Sequence, residues 1–130
     1  MTFPIRSAGD GDVAFILDAW KKSYEGAPAV RGADREHYRI EMTRAIRRLC
    51  DRGEVRVATA PDDPDHLLGF AAFTVADDGA ELHYVYVKRE FRGMGIARAL
   101  LSELNVTRYT FVSPTARPPK GWRFTPRFTI

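Results

Sequence analysis

Apolar residues recur along this chain with two different periods, and the points where the period changes mark the elements. Val13, Ile16, Leu17, Trp20 and Tyr24 fall on one face of a 3.6-residue period, which predicts a first helix. Asp10-Gly11-Asp12 before it supplies turn and N-cap chemistry, and Phe3 to Ala8 reads as a short first strand. Gly26-Ala27-Pro28 ends the helix and opens a loop of small residues over 26–33. Asp34 can cap a second helix. That helix turns Tyr38, Met42, Ala45, Ile46 and Leu49 inward and Arg39, Arg44, Arg47 and Arg48 outward, and Gly53 stops it.

From Glu54 the period becomes two. Glu54 to Ala60 and Leu67 to Val75 read as strands separated by the polar turn Pro61-Asp62-Asp63-Pro64-Asp65. Asp77-Asp78-Gly79 is a hairpin signal, and a strand over 80–88 follows, so 54–88 reads as an antiparallel meander. In the last strand Leu82, Tyr84 and Tyr86 alternate with His83, Val85 and Val87. Strict alternation puts Glu81 on the face of His83, Val85 and Val87, and turns Tyr84 and Tyr86 to the core. Ile96, Ala97, Leu100, Leu101 and Leu104 then return to helical spacing, predicting a helix over 94–104, with a fifth strand from Tyr109 to Ser113. A strand–helix–strand unit implies a parallel pair. Pro118 and Pro119 forbid an ordinary helix over Thr115 to Lys120, so Arg123 to Ile130 is left as one terminal strand. These elements predict one α/β (α+β) domain over 1–130 with a mixed, mostly antiparallel sheet, a central parallel pair and flanking helices. No repeat or low-complexity segment interrupts it.

The turn between the 80–88 strand and the next helix carries the chemistry. Arg92-Gly93-Met94-Gly95-Ile96-Ala97 sets two glycines at the mouth of a helix. The first N–H groups of a helix have no intrahelical partner, and glycine lets a ligand approach the backbone closely. Such a turn is a seat for phosphate or pyrophosphate. Two glycines alone more readily make a tight turn that binds nothing.

Composition changes the picture little. At 130 residues, with 45% hydrophobic and 28% charged residues, the chain has the make-up of a globular domain. No apolar run is long enough to span a bilayer and the start shows no signal-peptide core, so the cytoplasm and no membrane partner are expected. The one cysteine, Cys50, and three scattered histidines suggest neither a disulfide nor a metal site. Net charge is only +3, but no acid follows Glu103 whereas Arg108, Arg117, Lys120, Arg123 and Arg127 do. That end suits an anionic partner, either CoA phosphates or nucleic acid.

Over roughly residues 81–104 the chain resembles the GNAT superfamily of N-acetyltransferases. The signature Gln/Arg-x-x-Gly-x-Gly/Ala stands as Arg92-x-x-Gly95-x-Ala97. Val87-Lys88-Arg89-Glu90-Phe91 fits the preceding Val-x-Pro-Glu-Tyr/Phe run, with Arg89 in the proline's place. The resemblance implies acetyl-CoA or another acyl-CoA as cosubstrate and no metal. Its pyrophosphate would lie on Arg92, Gly93, Met94, Gly95, Ile96 and Ala97, and its pantetheine along Val85, Tyr86 and Val87. It implies that the parallel strands diverge to form the cleft, and that an amine acceptor, small molecule or protein, enters beside Trp20, Tyr24 and the 26–33 loop. It further implies another helix, which here is cut down, and with it a tyrosine for the leaving thiolate. No tyrosine follows Tyr109, so Tyr109 and Ser113 are the remaining hydroxyls there. Amide formation needs a proton acceptor. Glu81 is the first candidate, since histone-acetylating members keep a strand glutamate there, and His83 is the second, with a near-neutral pKa suited to proton transfer. Both residues are equally readable as ordinary strand positions.

The leading expectation is therefore an acyl-CoA-dependent N-acyltransferase acting on a primary amine by direct attack. A second, less favoured, is a nucleic-acid-directed or base-modifying protein of the same fold, phage-encoded as some short members are. Trp122, Phe124 and Phe128 among basic residues motivate it. A third is a non-catalytic binding protein. A sheet that ends early also admits completion by a second copy, a homodimer.

Overall fold

The computed structural model describes residues 2–25, 30–52, 54–110 and 119–125. Six strands form one sheet in sequence order: β1 (Ile5–Ser7), β2 (Val55–Ala60), β3 (Asp63–Ala76), β4 (Gly79–Val87), β5 (Val106–Tyr109) and β6 (Arg123–Phe124). β1 to β4 pair antiparallel, whereas β4 with β5 and β5 with β6 are parallel. The helices are α1 (Val13–Tyr24), α2 (Arg35–Asp51) and the short α3 (Ile96–Leu100). This is the mixed α/β architecture expected, with the parallel pair where the strand–helix–strand unit requires it.

Period-two alternation along β2 and β3 divides the core into two layers. Val55, Val57, Phe70 and Ala72 face α1 and α2, where they pack with Ile16, Trp20, Ile46 and Leu49. Ala58, Ala60, Leu68 and Ala71 face the other way, onto Ile96 and Leu100 of α3. Both helical faces are those read from the spacing, and Arg39, Arg44, Arg47 and Arg48 are exposed. Trp20 is fully buried and stacks on Tyr84 with ring centroids 4.9 Å apart. The Tyr84 hydroxyl lies 2.6 Å from Ser23 Oγ, so the ring packs in the core while its polar end is hydrogen-bonded.

Several boundaries differ from the sequence reading. β3 begins at Asp63 rather than Leu67, because Ala60 already pairs with Asp63 around the two-residue turn Pro61-Asp62. The helix expected over 94–104 stops at Leu100. Its last turn tightens through Ser102 N–H to Ala99 and Leu104 N–H to Leu101, and Glu103 turns left-handed at φ 66°. β5 accordingly starts at Val106, three residues earlier than expected, and the proposed extension over 111–113 lies outside the described residues. So do most of the proline segment, the loop residues 26–29, Gly53 and residues 126–130 of the terminal strand. Asp34 caps α2 as expected, its Oδ1 accepting from His37 N–H at 2.8 Å. Asp12 does not cap α1 with its side chain. Its carboxylate turns back to accept from Gly9 N–H at 2.7 Å and from both Arg6 guanidinium nitrogens at 2.6 and 3.0 Å.

Gly79 serves more than the hairpin. At φ 135° a Cβ there would lie 2.7 Å from the Asn105 carbonyl oxygen and 2.6 Å from the Thr107 methyl. The start of β5 can approach β4 only because that atom is missing. Gly93, at φ 80°, faces open space instead.

Two predictions follow from this packing. Gly79→Ala combines a glycine-only backbone with a backbone clash and should cost ~3 kcal/mol or more, whereas Gly93→Ala should cost only the ~1–2 kcal/mol of a left-handed residue. Urea unfolding of the two variants measures the difference. The second concerns Asp12, whose pKa is lowered chiefly by its hydrogen bonds from Arg6. A lowered carboxylate contributes stability above its unfolded value of about 3.9, and loses it as pH falls through the lower native value. The gap in urea midpoint between wild type and Asp12→Asn should be full near neutrality and close progressively below about pH 4.

Candidate active site

The ladder between β3 and β4 slips by one residue. Ala72 pairs with Tyr84, but the next rung joins Phe73 to Leu82, leaving His83 as an extra residue, a β-bulge. Residues opposite one another across a ladder share a face, as do residues two apart on one strand. Ala72 and Thr74 therefore share the α1–α2 face, and so do their partners Tyr84 and Glu81. Alternation from Glu81 would have placed Tyr84 on the opposite side. The bulge corrects the expectation that Glu81 and His83 lie with Val85 and Val87. Glu81 and His83 lie instead on the face of Tyr84 and Tyr86, while Val85 and Val87 pack beside α3.

Both candidate bases are buried, Glu81 at 3% exposure and His83 at 2%. Glu81 sits opposite Arg108 of β5, whose Nε donates to its Oε2 at 3.3 Å and whose other arm donates to Asp78 at 2.7 Å. His83 has a hydroxyl on each ring nitrogen: Thr74 Oγ1 is 2.7 Å from Nε2 and Thr110 Oγ1 is 2.8 Å from Nδ1. Thr74 in turn donates to Glu54 Oε2 at 3.1 Å. Thr74, Thr110, Arg108 and Glu54 escaped the sequence reading, because the bulge that gathers them leaves no mark in the apolar pattern. Asp78 and Arg108 do carry the expected opposite charges, but their pairing needs the β4–β5 register.

That register also sets which residues of β4 meet β5. β4 pairs with β5 through Ala80, Glu81 and Leu82, and the last rung runs from Thr110 N–H to the Leu82 carbonyl at 3.0 Å. Among the described residues the ladder ends there, while Val85, Tyr86 and Val87 continue along β3. Beyond Val87 a 3-10 turn (Arg89–Phe91) leads to the two glycines. Gly93 and Gly95 are both left-handed, at φ 80° and 85°, and a Cβ at either would meet nothing within 4 Å. Conformation, not crowding, calls for glycine at these two positions, and the space beyond them is open.

Gly95 is the N-cap of α3 and its carbonyl accepts from Ala99 N–H at 3.0 Å. The N–H groups of Ile96, Ala97 and Arg98 have no acceptor within the helix. The Ile96 side chain is buried in the core, so only its backbone can reach a ligand, whereas Met94 is 48% exposed. Arg92 Nε donates to the Val87 carbonyl at 2.9 Å, pinning the turn to the end of β4. Arg89, Arg92 and Arg98 are exposed around it. Open space, backbone donors and cations together are what an anion site at a helix start needs.

Tyr109 stacks on Phe124 at 5.2 Å, so the basic C-terminal end uses that aromatic in the sheet; Ser113 lies outside the described residues. Among the described residues no cluster of His, Cys, Asp and Glu could hold a metal, and no helix is long and apolar enough to cross a membrane.

The model of the acetyltransferase (GNAT) family matches residues 14–105. No curated protein matches the chain. Among solved structures, the chain is similar to histone acetyltransferase HPA2 and related acetyltransferase from Corynebacterium glutamicum, at 15% identity, with 78% of this chain and 68% of that one covered and a TM-score of 0.59. It is similar to PaiA N-acetyltransferase from Thermoplasma acidophilum, solved in complex with coenzyme A, at 24% identity, 78% and 68% coverage and a TM-score of 0.51. It is also similar to ribosomal-protein-alanine N-acetyltransferase from Brucella melitensis, at 16% identity, 77% and 66% coverage and a TM-score of 0.52. These likenesses are of fold. The family match spans β4, the glycine turn and α3 as well as both long helices, and by it this chain belongs to the acetyltransferase (GNAT) family.

Proposed function

We propose that the protein transfers an acetyl group from acetyl-CoA to a primary amine by direct attack. The observation that carries this reading is the pair of left-handed glycines at the end of β4 that open α3 with free space beyond them. The pyrophosphate of the substrate would rest on the N–H groups of residues 93–97, with Arg92 near its charge. The pantetheine arm would follow Val85, Tyr86 and Val87. This brings the thioester to the bulge, where strand N–H groups can receive its carbonyl oxygen as charge develops.

The amine nitrogen attacks the thioester carbon, the carbon–sulfur bond breaks, and the amine must lose a proton. His83 serves better than Glu81 as acceptor. The Arg108 guanidinium on Glu81 stabilises the carboxylate and so weakens it as a base. In this reading Glu81 with Arg108 and Asp78 holds β4 to β5 at the closed end of the cleft. The acceptor amine belongs to a small molecule or a protein.

Calorimetry with acetyl-CoA tests the seat. Wild type should bind, and Gly95→Glu, which adds strain and a negative charge, should weaken binding roughly tenfold or more, about 1.4 kcal/mol. No binding to wild type at millimolar ligand would remove the proposal. Steady-state kinetics test the base. His83→Gln should lower kcat by ~10²–10⁴-fold and remove the acidic limb of the pH profile, with the calorimetric Kd for acetyl-CoA unchanged. A larger kcat loss in Glu81→Gln than in His83→Gln would restore Glu81 to that role.

A further inference from the structure

The buried histidine is held by a directional chain. Thr74 has one hydroxyl proton, and that hydroxyl donates to Glu54 Oε2 at 3.1 Å. A carboxylate oxygen can only accept, so the direction of this bond follows from the chemistry. With its proton committed, Thr74 Oγ1 meets His83 Nε2 at 2.7 Å as an acceptor, and Nε2 must carry the ring proton. In the neutral ring Nδ1 is then the lone-pair nitrogen, and it accepts from Thr110 Oγ1–H at 2.8 Å. Thr110 directly follows β5, its N–H donating to the Leu82 carbonyl at 3.0 Å.

We propose that Thr74 and Glu54 are positioning residues that lock His83 as the Nε2–H tautomer, so that its Nδ1 lone pair addresses the cleft through the Thr110 hydroxyl. The functional half of this rests on the acetyltransferase reading above. As the amine nitrogen bonds to the acyl carbon, its proton passes to Thr110 Oγ1 while the Thr110 proton passes to His83 Nδ1. The resulting imidazolium keeps its Nε2–H on Thr74, one bond from the Glu54 carboxylate. The carbon–sulfur electron pair leaves with the CoA sulfur, and the proton returns along the same route to the thiolate. Amine and thioester thus become amide and thiol with protons balanced. Arg52 lies 4.0 Å from Glu54, and Arg108 with Asp78 borders Glu81 on the neighbouring rung.

The tautomer is directly readable. In the 15N-labelled 130-residue chain near neutral pH, correlations from ring nitrogens to ring carbon-bound protons report which nitrogen is protonated. His37 and His66 are exposed, and the signal lost in His83→Gln identifies the buried ring. Wild type should show His83 with Nε2 protonated and Nδ1 bare. Thr74→Val keeps the side-chain shape without the acceptor and should abolish the single-tautomer pattern; Glu54→Leu frees the Thr74 proton and should admit the other tautomer; Thr74→Ser should preserve it. In turnover, Thr74→Val should lower kcat by ~10–100-fold, the size seen for outer-shell partners that orient metal-bound histidines, with KM for acetyl-CoA within about twofold, and Thr74→Ser should recover most of the loss. A wild-type ring protonated at Nδ1, or at both nitrogens, overturns the proposal even if Thr74→Val fails to fold. So does an unchanged tautomer in a folded Thr74→Val. If the tautomer follows Thr74 while wild type neither binds nor turns over acetyl-CoA, the lock stands and the catalytic reading falls.

Discussion

One inserted residue in β4 sets the geometry of the whole site. A strand with perfect alternation would send Glu81 and His83 to the side of α3, away from Tyr84 and Tyr86 on the side of α1. The slip between Ala72–Tyr84 and Phe73–Leu82 keeps Tyr84 on Trp20, where the core needs it, and brings His83 and Glu81 onto the same face. Buried polar groups must find partners. Here they find them in Thr74 of β3, in Arg108 and Thr110 on and just after β5, and in Glu54 at the entry to β2. Aromatic packing on one side of the bulge and polar satisfaction on the other are one structural solution.

The same stretch of chain then leads to the glycine turn. β4 runs along β3 for its length, and among the described residues it pairs with β5 through Ala80, Glu81 and Leu82. The remaining edge carries Val85 to Val87 to the glycine turn, and Arg92 ties that turn back to Val87. A strand edge for an extended arm and a row of backbone donors for an anion therefore lie end to end on one continuous segment. The side chains of Val85, Val87, Phe91 and Ile96 pack in the α3 layer beneath it, so the seat rests on core rather than on loop.

Much of this was legible in the residues. The apolar stripes of α1 and α2, the meander, the parallel pair and the glycine turn follow from period, turn chemistry and a short motif. All of these are local signals. What was not legible depends on register. A bulge adds one residue without changing composition, so alternation alone sets Glu81 and His83 on the face opposite the one they occupy. Thr74 and Thr110 read as ordinary strand threonines until the strands are aligned. Gly79 looked like a turn residue, whereas its missing side chain is required by Asn105 and Thr107, which are remote in sequence. The period predicts a longer α3 because Leu101 and Leu104 continue it although the helix ends at Leu100 and Glu103 turns left-handed.

The central claim is that the β4 edge and the glycine turn form one binding surface for CoA, and a crystal structure of the protein with CoA tests it most directly. The account predicts the pyrophosphate within hydrogen-bond distance of the N–H groups of residues 93–97, and the pantetheine arm along Val85 to Val87 with its sulfur near His83 and Thr110. CoA bound on another face, or a turn left empty in crystals saturated with CoA, would contradict it.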